Sequence, residues 1–182
     1  MPATFERQLL DRLAVSPVRL RALLASMSDP ALRSVPQGGG FAPIEDAWHL
    51  RDIECEGHFP RIRRILAEDG PVLASIDGEQ LAQERRYLER ELRTALDEFA
   101  QYREASVGLL GELSAEAWAR RAIFDNRVVS LRELVTGMLE HDESHLAALG
   151  ARLSATTSIG DDSHDTAHVC DGAVSIDVTA PR

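Results

Sequence analysis

The residues SLRELVTGMLEHDESHLAALGARL, from Ser130 to Leu153, predict one long amphipathic helix. Ser130 and Glu133 match the capping-box pattern, in which the serine oxygen accepts an N–H of the first turn and the glutamate accepts the N–H of the cap. Leucine, valine and methionine then recur at steps of three and four residues, so one face of the helix is apolar. Such a face predicts packing against other helices.

Two histidines lie on this helix, His141 and His145. They are four residues apart and therefore point the same way. Asp142 falls within the apolar arc, where a carboxylate needs a partner. Two neutral imidazoles one turn apart, with a carboxylate nearby, suit a divalent metal ion. Two partly buried core histidines would show the same spacing, so the pattern leaves both readings open.

Composition narrows the class of protein. The chain has 182 residues, which fits one domain. Thirty acidic against twenty basic side chains give a net charge of -10 with no basic stripe, which argues against binding to nucleic acid or to an anionic membrane. Cys55 and Cys170 have no paired spacing, and the charged N-terminus lacks the apolar core of a signal peptide. We therefore expect a cytoplasmic protein.

Leucine periodicity predicts an all-α fold, a helical bundle, in residues 1–153. The first predicted helical region covers residues 4–14 and 17–28, with a break at Ser16-Pro17. The second begins at Ala42-Pro43, and the third runs from about Gly78 to Leu113 after an Asp77 cap. A short helix containing Trp118 follows a Ser114 cap, and the Ser130 helix comes last. Residues 122–129 are predicted to form a loop.

Residues 154–182 are rich in Ser, Thr, Asp and Gly, and we expect a C-terminal tail. Asp171-Gly172 predicts a short hairpin with a type I′ turn, and the alternative is a disordered tail. His164, His168 and Cys170 could bind a metal there only adventitiously, because a tail lacks the surrounding groups that orient ligands.

The second helical region holds two more histidines, His49 and His58. Nine residues correspond to about 180° of rotation, so both cannot face one ion unless Pro60 distorts the helix strongly. His58 shares an arc with apolar residues, whereas His49 lies at a border between apolar and acidic ones. Periodicity does not decide between them. Arg85, near the start of the third region, is a candidate for binding an anionic ligand.

Three segments resemble the DinB/YfiT-like family of four-helix-bundle metalloenzymes. They are FAPIEDAWHLRDIE at residues 41–54, LSAEAW at residues 113–118, and VSLREL followed by HDESHL between residues 129 and 146. The resemblance spans roughly residues 7 to 153. Phe41 stands where the family most often has Trp, and Trp48 stands where a small residue is usual, so we expect a reshaped pocket wall.

The resemblance implies a triad of His49, His141 and His145 at one end of the bundle, holding a divalent ion such as zinc, nickel or iron. It also implies a homodimer. Family members with assigned activity include thiol S-transferases, which use low-molecular-weight thiols, and maleylpyruvate isomerases. Three imidazoles without a protein carboxylate would leave the ion its full charge and an open position.

The leading functional hypothesis is therefore a metal-dependent enzyme that transfers a small thiol to an electrophilic substrate, or that catalyses a thiol-assisted isomerisation. Asp142, or else Asp52, is predicted to hold an imidazole N–H, and Arg85 to anchor an acidic group of the thiol or substrate. One alternative is a non-catalytic, stress-related binding or dimerisation module. Another is a hydrolase, which would act without any thiol.

Overall fold

The computed structural model describes the chain from residue 4 to residue 160, and its side chains from residue 4 to residue 155. The predicted hairpin at Asp171-Gly172 and the His164, His168 and Cys170 group lie outside these residues. Within residues 4–160, no helix is long and apolar enough to cross a membrane.

Four long helical segments pack lengthwise, which confirms the predicted four-helix bundle. They are α1 (Thr4–Ala25), α3 (Pro43–Asp52) with its continuation through a π-helical segment (Ile53–His58) into α4 (Phe59–Ala67), α6 (Leu92–Gly111) and α8 (Leu131–Gly160). Helix α1 packs against α6 and α8, and α3 also packs against α6 and α8. Helix α8 thus extends beyond the predicted end at Leu153.

The shorter elements connect the four segments. They are α2 (Asp29–Leu32), strand β1 (Val72–Leu73), α5 (Gly78–Glu84), a 3-10 turn (Tyr87–Glu89), α7 (Ala115–Trp118) and strands β2 (Arg121–Phe124) and β3 (Arg127–Ser130). Side chains cap α5 and α7 as the sequence predicts, because Asp77 and Ser114 each accept an N–H from the first turn. Ser28 caps α2 in the same way.

A buried polar layer crosses the bundle between two apolar clusters. Each of the four helical segments contributes apolar residues to both clusters. Along each segment, buried polar residues lie between its residues of one cluster and its residues of the other. The buried polar residues of this layer include Ser16 on α1, Glu54 and His58 on the π-helical segment, Arg103 and Ser106 on α6, and Asp142 on α8. His141 directly precedes Asp142 of this layer, and its ring centroid lies 5.9 Å from that of His58.

The predicted break at Ser16-Pro17 is wrong, because α1 runs through Pro17 as one helix. Proline costs a helix one backbone hydrogen bond. Leu13 and Leu20, on either side of it, are fully buried, and Pro17 is itself buried. Packing of this face against α6 and α8 keeps the helix continuous despite the proline.

The predicted long helix from Gly78 to Leu113 is also wrong, since the chain turns between α5 and α6. Arg86 adopts a left-handed conformation with φ of 51°. The turn buries the Tyr87 ring completely and brings its hydroxyl 2.5 Å from Asp52 Oδ2, to which it donates. Burial of this aromatic ring outweighs the local helix periodicity.

Residues 122–129 form most of a β-hairpin where a loop was predicted. Strands β2 and β3 are antiparallel, and Asp125 and Asn126 between them have φ of 48° and 60°. Two positive φ values in a two-residue loop define a type I′ turn. Strand β1 adds in parallel to β2, with Val72 opposite Ile123. This small sheet forms one wall of the cavity described below.

Candidate metal centre

The cap of α8 forms as predicted and fixes where the helix begins. The Ser130 N–H donates to Glu133 Oε2 at 2.7 Å, and the Glu133 N–H donates to Ser130 Oγ at 3.2 Å. With the start of the helix set, His141 and His145 lie one turn apart on the same side. Their ring centroids are 4.7 Å apart.

The helix that carries His49 is distorted immediately before Pro60. From Ile53 to His58 the chain is π-helical, and the Phe59 N–H donates to the Glu54 carbonyl five residues back. A π-turn contains one more residue than an α-turn, so the later residues are rotated by about 100° relative to a regular helix. Proline lacks an N–H and its ring crowds the carbonyl four residues back, and the wider turn accommodates both effects.

The π-helical segment brings His58 to the same side as His49, which a regular helix would not do. After the shift, the two side chains are roughly 80° apart in rotation instead of about 180°. Both line one cavity, and the His58 ring centroid is 5.9 Å from that of His141. π-Turns occur frequently at functional sites.

Three imidazoles converge in the polar layer. One nitrogen from each of His49, His141 and His145 lies within 4.8 Å of the other two. His49 Nε2 and His141 Nε2 are 3.0 Å apart. Two nitrogens at this separation can both lie about 2.1 Å from a single ion, the usual nitrogen–metal distance. These three residues could therefore hold a metal ion.

Asp46 orients the third imidazole. His145 Nδ1 and Asp46 Oδ1 are 2.7 Å apart, and Asp46 is buried. A carboxylate on Nδ1 fixes the tautomer that leaves Nε2 free, which is the usual arrangement of a metal-binding histidine. The Phe41 ring stacks beside His145, with centroids 6.3 Å apart, and also contacts the His49 ring. Phe41 thus forms part of the site wall, at the position where a reshaped wall was expected.

Burial keeps two of the imidazoles neutral. Desolvation, followed by the charges of His145 and His141, lowers the pKa of His49 to about 3. Desolvation, followed by the charge of His145, lowers the pKa of His141 to about 4. Metal ions bind the neutral imidazole. His49 and His141 can therefore bind an ion at neutral pH without loss of a proton.

Several buried polar atoms of the site have no hydrogen-bond partner in the described residues. The Nδ1 atoms of His49 and His141 have no hydrogen-bond partner among residues 4–155, and neither does Asp46 Oδ2. Buried polar atoms without partners are uncommon in folded proteins and often mark functional sites. The Nε2 atoms of His49 and His141, which face each other at 3.0 Å, are the ones that would bind an ion, so the Nδ1 atoms stay available for other partners.

A cavity of about 380 Å³ lies beside the three histidines. Its lining includes His49, His58 and His141, the apolar residues Ile53, Ile76, Phe124, Val129, Leu134 and Met138, and the polar residues Arg61, Ser75, Asp125 and Glu133. The volume is in the range of small-molecule sites, and a mostly apolar lining with a few polar groups is typical of them. A small ligand in this cavity would lie next to the candidate metal centre.

Asp142 bonds an arginine where an imidazole was predicted. Arg103 Nη1 donates to Asp142 Oδ2 at 2.5 Å, and Arg103 Nη2 donates to Asp142 Oδ1 at 3.2 Å and to Glu54 Oε2 at 2.9 Å. Ser106 donates to the other oxygen of Glu54. All four side chains are buried. The partner that the sequence required for Asp142 is therefore Arg103, and the aspartate that bonds an imidazole in the described residues is Asp46.

Asp52 and Arg85 lie in a separate ion-pair network. Asp52 accepts hydrogen bonds from Arg51, Arg85 and Tyr87, at 2.5 to 2.6 Å. Arg85 also donates to both oxygens of Glu56. Its charge is thus already paired with two carboxylates, and Arg85 is absent from the lining of the histidine cavity.

Sequence reasoning missed three residues at the site. Asp46 lies three residues before His49, one helical turn away, so its spacing was a usable signal. Periodicity left His58 open and the family resemblance favoured His49, and only the π-helical segment shows that both line the cavity. Arg61 follows His58 by one turn, and its approach to the cavity depends on the same π-helical shift. Only the first of these could have been found from spacing.

Comparisons with known proteins agree with the fold. The model of the DinB superfamily matches residues 12–149, so the chain belongs to that family. Among solved structures, the chain is similar to YfiT from Bacillus subtilis, which is described as a probable metal-dependent hydrolase with an unusual four-helix bundle topology. The TM-score is 0.77 at 17% sequence identity, over 85% of this chain and 91% of YfiT. No curated protein matches the sequence.

Proposed function

We propose that this protein is a metal-dependent enzyme in which His49, His141 and His145 hold a divalent ion, and that it transfers a small thiol to an electrophilic substrate. The observation that carries the proposal is the convergence of three imidazole nitrogens within 4.8 Å beside a cavity of small-molecule size. A divalent ion held by neutral imidazoles lowers the pKa of a bound thiol or water, so that a nucleophile is available near neutral pH.

The residues around the cavity favour a thiol as the nucleophile. Its two lining carboxylates are already engaged, because Asp125 accepts a hydrogen bond from Ser75 and Glu133 accepts two from Ser130. The hydrogen bonds from Ser130 lower the pKa of Glu133, which makes this carboxylate a weaker base for ionising water. A thiol, with an ordinary pKa of about 8.5, needs far less help to ionise than water does.

In the proposed transfer, the thiol sulfur forms a bond to an electrophilic carbon and the leaving group departs with its electron pair. The thiol proton passes to solvent or to the leaving group. His145, oriented by Asp46, keeps the donor set in place, and the apolar wall holds the electrophile and excludes water. The positioned pair of reactants supplies a large part of the rate enhancement.

Hydrolysis is the second candidate, and His58 favours it. Its imidazole lines the cavity and is buried, and neither ring nitrogen has a hydrogen-bond partner in the described residues. Burial lowers its pKa well below the ordinary value, so the ring is neutral and offers a nitrogen lone pair to a water molecule in the cavity. The description of YfiT as a probable metal-dependent hydrolase agrees with this alternative.

The test is a pair of assays on metal-loaded protein. One follows consumption of low-molecular-weight thiols with a nitro-activated aryl chloride, and the other follows cleavage of a nitrophenyl ester without thiol. We expect thiol-dependent turnover that is lost in His145→Ala and retained in His58→Gln. Ester cleavage without thiol that is lost in both variants would favour hydrolysis. Metal-loaded protein that is inactive in both assays would contradict the proposal.

We further propose that the enzyme is a cytoplasmic homodimer, as the family resemblance implies. Light scattering coupled to size-exclusion chromatography should give a mass near 40 kDa for a chain of 20.0 kDa. A single species at the mass of one chain would contradict the dimer.

A further inference from the structure

Arg61 is a buried cation with no carboxylate in direct contact in the described residues, although the charge of Asp125 acts on it from beyond ion-pair distance. Its exposed fraction is 7%, and it takes part in no ion pair within the described residues. The other arginine buried to this extent, Arg103, is paired with two carboxylates. Removing a guanidinium from water is costly unless a partner compensates the charge. Arg61 also lines the cavity beside the three histidines, so a ligand there could supply the partner.

The Arg61 guanidinium is held in a fixed orientation. Nε and Nη2 both donate to the Ala74 carbonyl, at 3.1 and 2.7 Å, and the group lies over the Phe124 ring at 4.6 Å. Nη1 donates none of the hydrogen bonds in the described residues. Gly57 leaves space beside it, since a Cβ at Gly57 would come within 3.2 Å of Nη1. One edge of the guanidinium is therefore free to donate to a ligand.

His58 precedes Arg61 by one turn and faces the same cavity. Both of its nitrogens are buried and have no partner among residues 4–155. A neutral imidazole offers one donor and one acceptor. Two cavity-lining side chains thus have polar atoms without partners, namely Arg61 at Nη1 and His58 at both ring nitrogens. Their common requirement is a ligand with a polar anionic end.

The surrounding charges limit how much negative charge the ligand carries. Asp125 and Glu133 also line the cavity, and their carboxylates would repel a dianion such as a phosphate monoester. A single free edge of Arg61 suits one carboxylate. The rest of the wall is apolar, with Ile76, Phe124 and Leu134 among its residues. These features together describe a monocarboxylate with a compact apolar body.

We propose that the cavity binds a small organic acid, whose carboxylate accepts hydrogen bonds from Arg61 Nη1 and from the His58 ring while its apolar body packs against the sheet and α8. This inference rests on the proposed function, because the positive charge of the ion held by the three histidines would offset the negative charges of Asp125 and Glu133 around the bound acid. The acid is then the substrate, positioned beside the metal centre. Arg61 thus takes the role of binding an acidic group, which the sequence analysis assigned to Arg85.

The test uses calorimetric titration of zinc-loaded protein with hexanoate and with hexanamide, its neutral counterpart. We expect the wild type to bind hexanoate at least tenfold more tightly than hexanamide. Arg61→Gln should reduce this preference by about tenfold, because a hydrogen bond to a charged group is lost. Arg64→Gln is the matched control. Arg64 lies on the same helix and also donates to a carbonyl of the β1 region, that of Val72, but it does not line this cavity.

Gly57→Ala serves as a second variant, because Arg61 also supports Ala74 and Phe124 and its replacement could impair folding. The added methyl group crowds Nη1 and leaves the charge in place, so we expect a smaller loss of the hexanoate preference. Equal binding of hexanoate and hexanamide by the wild type would overturn the inference. A preference that is undiminished in the folded Arg61 and Gly57 variants would overturn it too, since the ion alone would then hold the carboxylate.

Separate outcomes distinguish this inference from the proposed function. Protein that binds hexanoate through Arg61, yet turns over neither thiol nor ester, would contradict the proposed enzyme and support the acid site. Protein that turns over neutral electrophiles but shows no hexanoate preference would contradict the acid site alone. The metal content of each variant, measured in parallel, shows whether the centre itself is intact.

Discussion

Gly78 lies directly against the His49 ring. A Cβ on Gly78 would be 2.3 Å from His49 Cε1 and 2.6 Å from Nδ1, distances that atoms do not adopt without displacement. Gly78 is the first residue of α5, whose N-cap is Asp77. The start of α5 therefore packs directly against the ring of a proposed metal ligand, and a side chain larger than that of glycine would displace the ring.

Replacing Gly78 by alanine should displace His49 and weaken metal binding. We expect Gly78→Ala to lower zinc affinity by at least tenfold, because the ligand nitrogen moves away from the other two. Competition with a chromogenic chelator measures this affinity. Gly137→Ala is the control, since Gly137 also lines the cavity but a Cβ there would meet nothing within 4 Å. Equal affinity in both variants would contradict the close packing of Gly78 on His49.

Asp46→Asn should weaken metal binding through His145. The carboxylate that fixes the His145 tautomer becomes an amide, and loss of such a partner typically costs 10- to 100-fold in metal affinity. The neighbouring variant Glu45→Gln tests the specificity of the effect, because Glu45 only accepts the Ala42 N–H at the start of α3. A drop in affinity of similar size for both variants would indicate damage to α3 instead of loss of His145 orientation.

Asp142→Asn should lower stability and leave the metal content unchanged. The substitution leaves the Arg103 charge with only Glu54 as its ionic partner, and breaking a buried ion pair costs about 3 kcal/mol in the free energy of unfolding. Urea denaturation measures the change. Asp97→Asn, which removes an exposed partner of Arg21, should have little effect. If Asp142→Asn kept full stability but lost the ion, Asp142 would be orienting an imidazole after all.

The metal-free protein should lose stability as the pH falls below about 6.5. Burial lowers the pKa of His49 to about 3 and that of His141 to about 4, whereas the unfolded chain titrates near 6.5. Between these values the unfolded state binds more protons, so each histidine lowers the free energy of unfolding by up to about 1.4 kcal/mol per pH unit. Stability is fully present above 6.5 and declines toward pH 4.

Urea denaturation with a chelator present, at several pH values, measures this dependence. The pKa of buried His58 is also lowered, with desolvation as the largest cause, so His58→Phe should make the decline shallower. A free energy of unfolding that stayed constant or rose between pH 6.5 and 5 would show that these histidines are not desolvated as described.

The local features of the fold could be predicted from the sequence. Both the Ser130 cap and the Asp77 cap depend on side chains three residues from their partners, and both are confirmed. The spacing of His141 and His145 likewise follows from one regular helix. Assignment of His49 as their partner came from family resemblance, because the periodicity of its helix did not separate it from His58.

The remaining features depend on tertiary structure. The chain departs from helical geometry at the π-helical segment before Pro60 and at the left-handed Arg86. The spacing of apolar residues in the sequence gives no sign of either feature. The partner of Asp142 is Arg103, 39 residues away, and spacing carries no signal for such a pair. The Asp125-Asn126 turn is the exception, because a turn-forming pair between apolar alternations was present in the sequence and was overlooked.

The measurement that tests the account most directly is the metal content per chain by elemental mass spectrometry. Untagged full-length protein, purified without chelator, is compared with His145→Ala and with a His164→Ala/His168→Ala double variant. The account predicts about one ion per chain in the wild type and in the double variant, and its loss in His145→Ala. An ion that is retained in His145→Ala, or lost only in the double variant, would contradict the metal centre proposed at His49, His141 and His145.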